Sequence, residues 1–156
     1  MRRFILMRHA KAERGEGKPD FQRTLDERGW RDGAAVGAKL ANLGIIPDCI
    51  LCSSARRTRD TLAAVLPFFG ADCTIHLRRD LYEAEGSDVR DAVRTASGQC
   101  ILLIGHNPAI HMAAMEFAGR TAADVGLYNG FPTSNAAVFS MGFAIDTVKF
   151  ERILTP

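Results

Sequence analysis

The sequence contains no hydrophobic run long enough to cross a membrane. Spanning a bilayer takes about 18 or more consecutive apolar residues, whereas runs such as residues 101–105 are far shorter. The apolar stretch near the start covers only residues 4–7 before Arg8 interrupts it, and a secretory leader needs about 7 to 15 apolar residues. We therefore expect a protein with no membrane partner, located in the cytoplasm.

The sequence also lacks a strong net charge. Its 20 lysines and arginines nearly balance its 18 aspartates and glutamates, which leaves a formal charge of +2. Nucleic-acid-binding domains are usually strongly basic, so we expect no nucleic-acid partner. At 156 residues and 47% hydrophobic composition, the chain can bury a core without disulfides or metals. We expect one domain over residues 1–156.

Cysteines are few and poorly placed for a metal. Cys49 and Cys52 have the C-x-x-C spacing of some metal sites, but in a strand residues three apart point to opposite faces. Cys73 and Cys100 each lie alone in other apolar runs. We interpret all four as core thiols, with no metal site.

Short hydrophobic runs alternate with longer helical patterns along the chain. Residues 4–7, 49–52 and 100–104 are continuously apolar and residues 73–77 mostly so; we interpret all four as strands buried on both faces of a parallel sheet. Two further strands are predicted at residues 136–143 and 147–154, around a turn near Asp146. The alternation predicts an α/β fold, a three-layer αβα sandwich with a mostly parallel central sheet.

The predicted helices begin with recognisable signals. Residues 24–27 match a capping box, and the first helix then repeats apolar residues at helical spacing until Gly44: Trp30, Ala34, Ala38 and Ala41. Two more helices are predicted from about residues 58 and 87. Asn107 and Pro108 suit the cap and first position of a fourth helix. Residues 15–20, rich in glycine and charge, are predicted to form a mobile loop.

Residues that can carry chemistry directly follow the predicted strands, where ligands of parallel sheets bind. Arginine forks match phosphate oxygens two at a time, and a neutral imidazole among arginines is a competent nucleophile. The set therefore predicts the binding and transfer of a phosphoryl group. Its members are Arg8 and His9, then Ser53, Ser54, Arg56, Arg57 and Arg59, then Tyr82 and Glu83, and finally His106 and Asn107.

Each feature alone also has an ordinary structural interpretation. Arg8 and His9 can be a solvated surface pair, and His106 can be a hydrogen-bonded turn residue. The arginines at positions 56–59 can form the exposed face of a helix start or a weak nucleic-acid signal. Glu83 is as readily a loop carboxylate as a general acid. The combination, rather than any one residue, favours phosphoryl chemistry.

Three linked motifs resemble those of the histidine phosphatase superfamily, also called phosphoglycerate-mutase-like. They are Leu-Met-Arg-His-Ala at residues 6–10, the Ser-Ser-Ala-Arg-Arg-Thr-Arg-Asp-Thr segment at 53–61, and Gly-His-Asn-Pro at 105–108. The short length, Asp-Leu-Tyr at 80–82 and Phe-Pro-Thr-Ser at 131–134 are most similar to the SixA type of phosphohistidine phosphatase. The resemblance implies an αβα sandwich and a metal-independent phosphatase without a cofactor.

The resemblance also implies roles for individual residues. His9 matches the nucleophile that becomes phosphorylated, and Arg8 matches the neighbouring phosphate-binding arginine. Arg57 matches the second phosphate-binding arginine, and His106 matches a histidine that donates to a phosphoryl oxygen. Glu83, within a Leu-x-Glu pattern, matches the proton donor of many members.

The position of Arg57 in its motif follows from counting. The family arginine stands four residues after the serine and four before the threonine, and Ser53 and Thr61 then select Arg57 rather than Arg56 or Arg59.

The expected substrate is a phosphohistidine-bearing protein, because a short chain has little room for the inserted cap that encloses small substrates. The alternatives are a phosphatase or mutase of a small phosphorylated metabolite, and a phosphate-dependent binding module without turnover.

Overall fold

In a computed structural model that describes residues 1–70, 72–142 and 147–156, one sheet runs through the molecule. Its strands are β1 (Arg2–Arg8), β2 (Cys49–Ser53), β3 (Thr74–Arg78), β4 (Cys100–Gly105), β5 (Ala136–Met141) and β6 (Val148–Leu154). Their order is β3-β2-β4-β1-β5-β6. The first four strands pair in parallel and β5 pairs antiparallel with β1 and β6, so the sheet is mostly parallel, as predicted. The predicted turn near Asp146 lies outside the described residues.

Helices cover both faces of this sheet: α1 (Glu27–Asn42), α2 (Arg56–Val65), α3 (Gly86–Thr95), α4 (Ala109–Ala118) and the short α5 (Thr121–Asp124). One core joins α1 and α2 to the sheet residues Ile5 and Leu102. The other joins α3 and α4 to Leu6 and Leu103. Neighbouring strand residues thus enter opposite cores, which confirms the three-layer αβα sandwich. None of these helices is long and apolar enough to span a bilayer.

The cysteines follow the alternation of strand side chains. Cys49 packs in the core beside α3 and α4, whereas Cys52 packs in the core beside α1 and α2. Both are buried free thiols, and Cys73 and Cys100 are partly buried. Among the described residues, no group of three or more histidine, cysteine or acidic side chains is placed to hold a metal ion.

The prediction that residues 73–77 form a strand buried on both faces is wrong. Within the described residues, β3 is the edge strand of the sheet and pairs only with β2. The side of β3 away from β2 is uncovered, and Ile75 and Leu77 are 41% and 54% exposed. An apolar run alone cannot distinguish a central strand from an edge strand, because both use β-branched and aliphatic residues.

The predicted apolar face of α1 is also wrong. Trp30 is 42% exposed, and the buried positions are Gly29, Gly33, Val36, Gly37 and Leu40. The glycines let α1 approach its neighbours closely. A Cβ on Gly37 would stand 3.1 Å from Val65 Cα, and one on Gly33 would stand 3.1 Å from Ala64 Cβ. A hydrophobic pattern does not count glycine as apolar, which is why it selected the wrong face.

Two predicted helix starts are shifted along the chain. Asp26 rather than Thr24 caps α1, because the Gly29 N–H donates to the Asp26 carboxylate at 2.8 Å. Helix α4 begins at Ala109, with Pro108 before it. Asn107 does not cap that helix, because its side-chain amide donates instead to the Phe131 carbonyl at 2.9 Å. The first shift exchanges one local cap for another, whereas the second places the Asn107 side chain in a tertiary contact that local spacing cannot reveal.

Candidate active site

The strand register brings the predicted site to one edge of the sheet. Arg8 at the end of β1 is level with Gly105 at the end of β4, and β2 ends beside them. The backbone N–H of His9 donates to the Gly105 carbonyl at 3.0 Å, so His9 and His106 follow two neighbouring strands. Their ring centroids lie 5.4 Å apart.

Four of the five predicted site residues gather at this edge: Arg8, His9, Arg57 and His106. His9, Arg57 and His106 are only 6–8% exposed, and Arg8 is half-buried. The charges of both arginines reach His9 and lower its pKa. Burial, followed by the Arg57 charge, lowers the pKa of Arg8 below its ordinary value. Two guanidiniums this close form a strongly cationic site that favours an anion.

His9 presents an unprotonated nitrogen. Its Nδ1 lies 2.7 Å from the Ala10 carbonyl, and a carbonyl can only accept, so Nδ1 carries the hydrogen and donates. Burial is the main cause that lowers the His9 pKa to about 4; the hydrogen bond to Ala10 opposes this, and Arg57 and Arg8 reinforce it. At neutral pH the ring is therefore uncharged, with the lone pair on Nε2.

His106 presents the opposite tautomer. Its Nε2 lies 2.8 Å from Ser53 Oγ, and that oxygen accepts the Ala55 N–H at 3.4 Å. The buried Ser53 hydroxyl hydrogen needs an acceptor, and Nε2 is the one at hydrogen-bond distance among the described residues, so we assign the hydroxyl as the donor and the ring hydrogen to Nδ1. Burial, with the charges of His9 and Arg57, lowers the His106 pKa to about 3. The neutral ring thus offers an N–H donor.

Three buried nitrogens around His9 have no hydrogen-bond partner among the described residues. They are Arg8 Nε, Arg57 Nε and His106 Nδ1. Buried donors without partners are rare in folded proteins, and here two belong to cations. A tetrahedral oxyanion supplies several acceptor oxygens and negative charge together, so this donor set fits a phosphoryl group.

The arginine motif fixes which guanidinium faces the site. Thr61 Oγ1 accepts the Ala10 N–H at 2.9 Å and donates to the Arg57 carbonyl at 2.7 Å, which ties the His9 loop to α2. Arg56, in contrast, points outward: its side chain is 51% exposed and pairs with Asp60 at 2.8 Å. Of the two adjacent arginines, only Arg57 contributes to the cluster.

The segment from Phe131 to Ser134, just before β5, supports the same cluster. The Phe131 carbonyl accepts from Arg8 Nη1 at 3.1 Å and from Asn107 Nδ2 at 2.9 Å. Ser134 adopts a left-handed conformation, with φ of 66°, and its N–H donates to the His9 carbonyl at 3.2 Å. This segment therefore orients Arg8 and supports the backbone of His9.

Asp20 is a site residue that the sequence did not predict. Its Oδ2 accepts from Tyr82 OH at 2.5 Å and from Arg57 Nη2 at 3.1 Å, and its carbonyl accepts from Arg57 Nη1 at 2.9 Å. Its Oδ1 accepts from Arg23 Nε at 3.0 Å. The Tyr82 hydrogen bond is the largest cause that lowers the Asp20 pKa to about 2, with smaller contributions from Arg57 and Arg23. The Asp20 end of the predicted mobile loop, residues 15–20, is thus held at the site by these hydrogen bonds.

Aromatic side chains form the rim beside Asp20. The Tyr82 ring meets His106 edge-on at 5.6 Å and Phe21 at 4.9 Å, and the Arg79 guanidinium lies 4.2 Å from the centre of the Phe21 ring. Glu83 is exposed and makes no hydrogen bond or ion pair with residues in the described part of the chain. Its charge raises the pKa of Tyr82 slightly, after the larger effects of Asp20 and burial. A proton-donor role for Glu83 stays a prediction.

We expect both site imidazoles to stay neutral far below their ordinary pKa of 6.5. In the unfolded chain they take up protons near that value, whereas in the folded protein they do so only near pH 4 and pH 3. Acidification below pH 6.5 therefore favours the unfolded state. NMR titration checks this directly, with the ring signals assigned by their loss in His9→Asn and His106→Asn. Neither should titrate between about pH 8 and about pH 5, and a midpoint near 6.5 in either ring would contradict the described environment.

Comparison with known proteins agrees with this geometry. Residues 4–91, more than half of the chain, match the model of the histidine phosphatase superfamily, branch 1. An uncharacterized protein of Mycobacterium tuberculosis is 33% identical over 139 residues, covering 85% of each chain.

Solved structures extend the similarity over the whole fold. One from Agrobacterium tumefaciens, assigned as the phosphohistidine phosphatase SixA, is 29% identical with a TM-score of 0.89, covering 99% of this chain and 98% of that one. A mycobacterial glucosyl-3-phosphoglycerate phosphatase is only 14% identical, with a TM-score of 0.66 over 97% of each chain, and shares the fold. By its sequence match, its architecture and its SixA-like neighbours, the chain belongs to the histidine phosphatase superfamily.

Proposed function

We propose that the protein is a metal-independent phosphatase that passes through a phosphorylated His9 and acts on phosphohistidine in proteins. The observation that carries this proposal is a set of three buried donors, on Arg8, Arg57 and His106, that have no partner in the described part of the chain. They surround an uncharged imidazole whose Nε2 lone pair is free. A nucleophile set among anion-binding donors is the arrangement that phosphoryl transfer requires.

In the first step, His9 Nε2 attacks phosphorus in line with the leaving group. The Nε2–P bond forms while the bond from phosphorus to the leaving atom breaks, and the leaving atom keeps that electron pair. Arg8, Arg57 and the Nδ1–H of His106 donate to the phosphoryl oxygens. Positioning and electrostatic stabilisation supply most of the rate enhancement in such transfers.

In the second step, water attacks the phosphorus of phospho-His9. The P–N bond breaks and its electron pair returns to Nε2, while the protons of the water pass to the phosphate product and the solvent. The Nδ1–H bond to Ala10 restores the same tautomer, because Nδ1 keeps its hydrogen throughout. The ring is then ready for another cycle.

A substrate panel tests the proposed function. We expect wild-type protein to hydrolyse a phosphohistidine-bearing protein and phosphoramidate faster than sugar phosphates or phosphoglycerate. Faster turnover of the small esters would favour the alternative, a phosphatase or mutase of a phosphorylated metabolite. Phosphate binding without turnover of any substrate would indicate the binding module instead.

Glu83 gives a separate prediction about ester substrates. If its carboxyl protonates an alkoxide leaving group, Glu83→Gln lowers kcat on a sugar phosphate by about 10² or more. The same variant should hydrolyse phosphoramidate at close to the wild-type rate, because a nitrogen leaving group takes its proton from solvent. Steady-state kinetics on both substrates measure this. Equal rates of Glu83→Gln and wild type on the sugar phosphate would remove Glu83 from the mechanism.

A further inference from the structure

We propose that Asp20 is a specificity-determining residue whose carboxylate favours phosphoramidates, with their protonated nitrogen leaving groups, over phosphate esters. This inference rests on the proposed phosphatase function and adds to it the group that faces the leaving atom. The Asp20 carboxylate lies beside a cluster of anion-binding donors, where it is paired with Arg57 and Arg23. Its negative charge opposes the phosphoryl oxygens, so any further group bound to it has to be a hydrogen-bond donor or a cation.

Asp20 lies on the outer side of the site, where a leaving group has to depart. His9 and Arg57 are 7% and 6% exposed, whereas the Asp20 side chain is 55% exposed. In-line displacement puts the leaving group opposite the nucleophile. With His9 on the buried side, the leaving atom points outward, toward the rim formed by Asp20 and Tyr82.

The Asp20 carboxylate keeps capacity for one more donor. Its oxygens accept from Tyr82 OH, Arg57 Nη2 and Arg23 Nε, and an ionised carboxylate has about four acceptor sites. A protonated leaving nitrogen carries an N–H that can occupy the remaining one. When phosphoryl oxygens draw the Arg57 guanidinium, the charge of Asp20 becomes less compensated and attracts that nitrogen more strongly.

The chemistry of the two leaving groups then diverges. In a phosphoramidate, solvent protonates the nitrogen; His9 Nε2 bonds to phosphorus, the P–N bond breaks, and its electron pair neutralises the departing nitrogen. A carboxylate beside that nitrogen stabilises its protonated form. An alkoxide from an ester instead needs a proton donor, and the low pKa of Asp20, about 2, leaves it without a proton to give at neutral pH.

The charged and titratable groups facing Asp20 come from four parts of the fold. Arg57 lies on α2, Arg23 on the same loop, Tyr82 after β3, and His106 after β4. The two arginines partly neutralise the Asp20 carboxylate, and the remaining negative charge faces the rim. Tyr82 and His106 are neutral at pH 7: the ordinary tyrosine pKa of about 10 is raised further by the hydrogen bond to Asp20, and burial lowers the His106 pKa to about 3.

The test compares Asp20→Asn with Glu16→Gln on two substrates, phosphoramidate and p-nitrophenyl phosphate. Asparagine keeps the shape and an acceptor for Arg57 but removes the charge. Glu16 is an exposed carboxylate in the same loop, so its variant controls for the change in net charge. We expect Asp20→Asn to lose about tenfold or more in kcat/KM on phosphoramidate, the effect of one close, partly solvated charge. Its rate on p-nitrophenyl phosphate, whose leaving group departs unprotonated, should hold or rise.

The pH profile separates this role from mere positioning of Arg57. Because the carboxylate raises the pKa of the leaving nitrogen, wild type and Asp20→Glu should stay active on phosphoramidate to higher pH than Asp20→Asn. A parallel loss on both substrates, or no loss on either, would overturn the inference while leaving the phosphatase in place. Wild-type turnover of p-nitrophenyl phosphate through phospho-His9 without any turnover of phosphoramidate would also overturn it. Failure of wild type on every substrate would instead refute the proposed function and this inference together.

Discussion

The substitution His9→Asn should abolish the covalent intermediate and lower kcat by at least about 10⁴-fold. Asparagine fits the space but has no lone pair on an aromatic nitrogen with which to attack phosphorus. Arg8, Arg57 and His106 stay in place, so the variant should still bind phosphate. Rapid quenching with ³²P-labelled substrate measures the effect as acid-sensitive, base-stable label on the protein.

His76→Asn is the matched control for this experiment. His76 is exposed on the edge strand β3, away from the cluster, and its variant should trap label and turn over like wild type. Label retained on His9→Asn at wild-type stoichiometry would show that another side chain is the nucleophile. Loss of label in both variants would point to a general effect of histidine replacement.

The second large effect is expected from Arg57→Lys, with Arg56→Lys as its neighbour and control. Lysine keeps the charge of Arg57 but loses the planar fork and the buried Nε, so we expect a loss of about 10² to 10³ in kcat/KM, as when a single transition-state donor is removed. Arg56 forms an ion pair with Asp60 away from the site. A lysine there can keep that pair, and its kinetics should match wild type within about twofold.

Thermal unfolding of both variants tells misfolding apart from lost chemistry. Arg57 is buried and binds Asp20, so a small drop in Tm is compatible with the prediction. A collapse of activity in Arg56→Lys alongside normal Arg57→Lys kinetics would show that Arg56, and not Arg57, is the phosphate-binding arginine of the motif.

Much of this fold could be predicted from local sequence pattern. Central strands such as β1 and β4 each contain a short apolar run followed at once by polar residues, so their carboxyl ends were located to within one residue. Once the strands are parallel, their carboxyl ends lie at one edge of the sheet, and the neighbouring positions of β1 and β4 then bring His9 and His106 together. The placement of the four clustered residues therefore follows from topology.

Other features depend on contacts between distant parts of the chain. Asp20 is 37 residues from Arg57 and 62 from Tyr82, and nothing in its own segment indicates either partner. The edge position of β3 depends on the order of the strands. The buried face of α1 depends on how closely α2 approaches, which the glycines permit but an apolar pattern does not register.

That close approach gives α1 an influence on chemistry it never touches. The glycines at 33 and 37 set the gap to α2, the helix whose first turn carries Arg57. An added methyl group at either position presses against the last turn of α2. A shift of that helix as a unit also moves Arg57 at its first turn. Damage to turnover can thus originate on the far side of a helix pair, with every residue of the site itself unchanged.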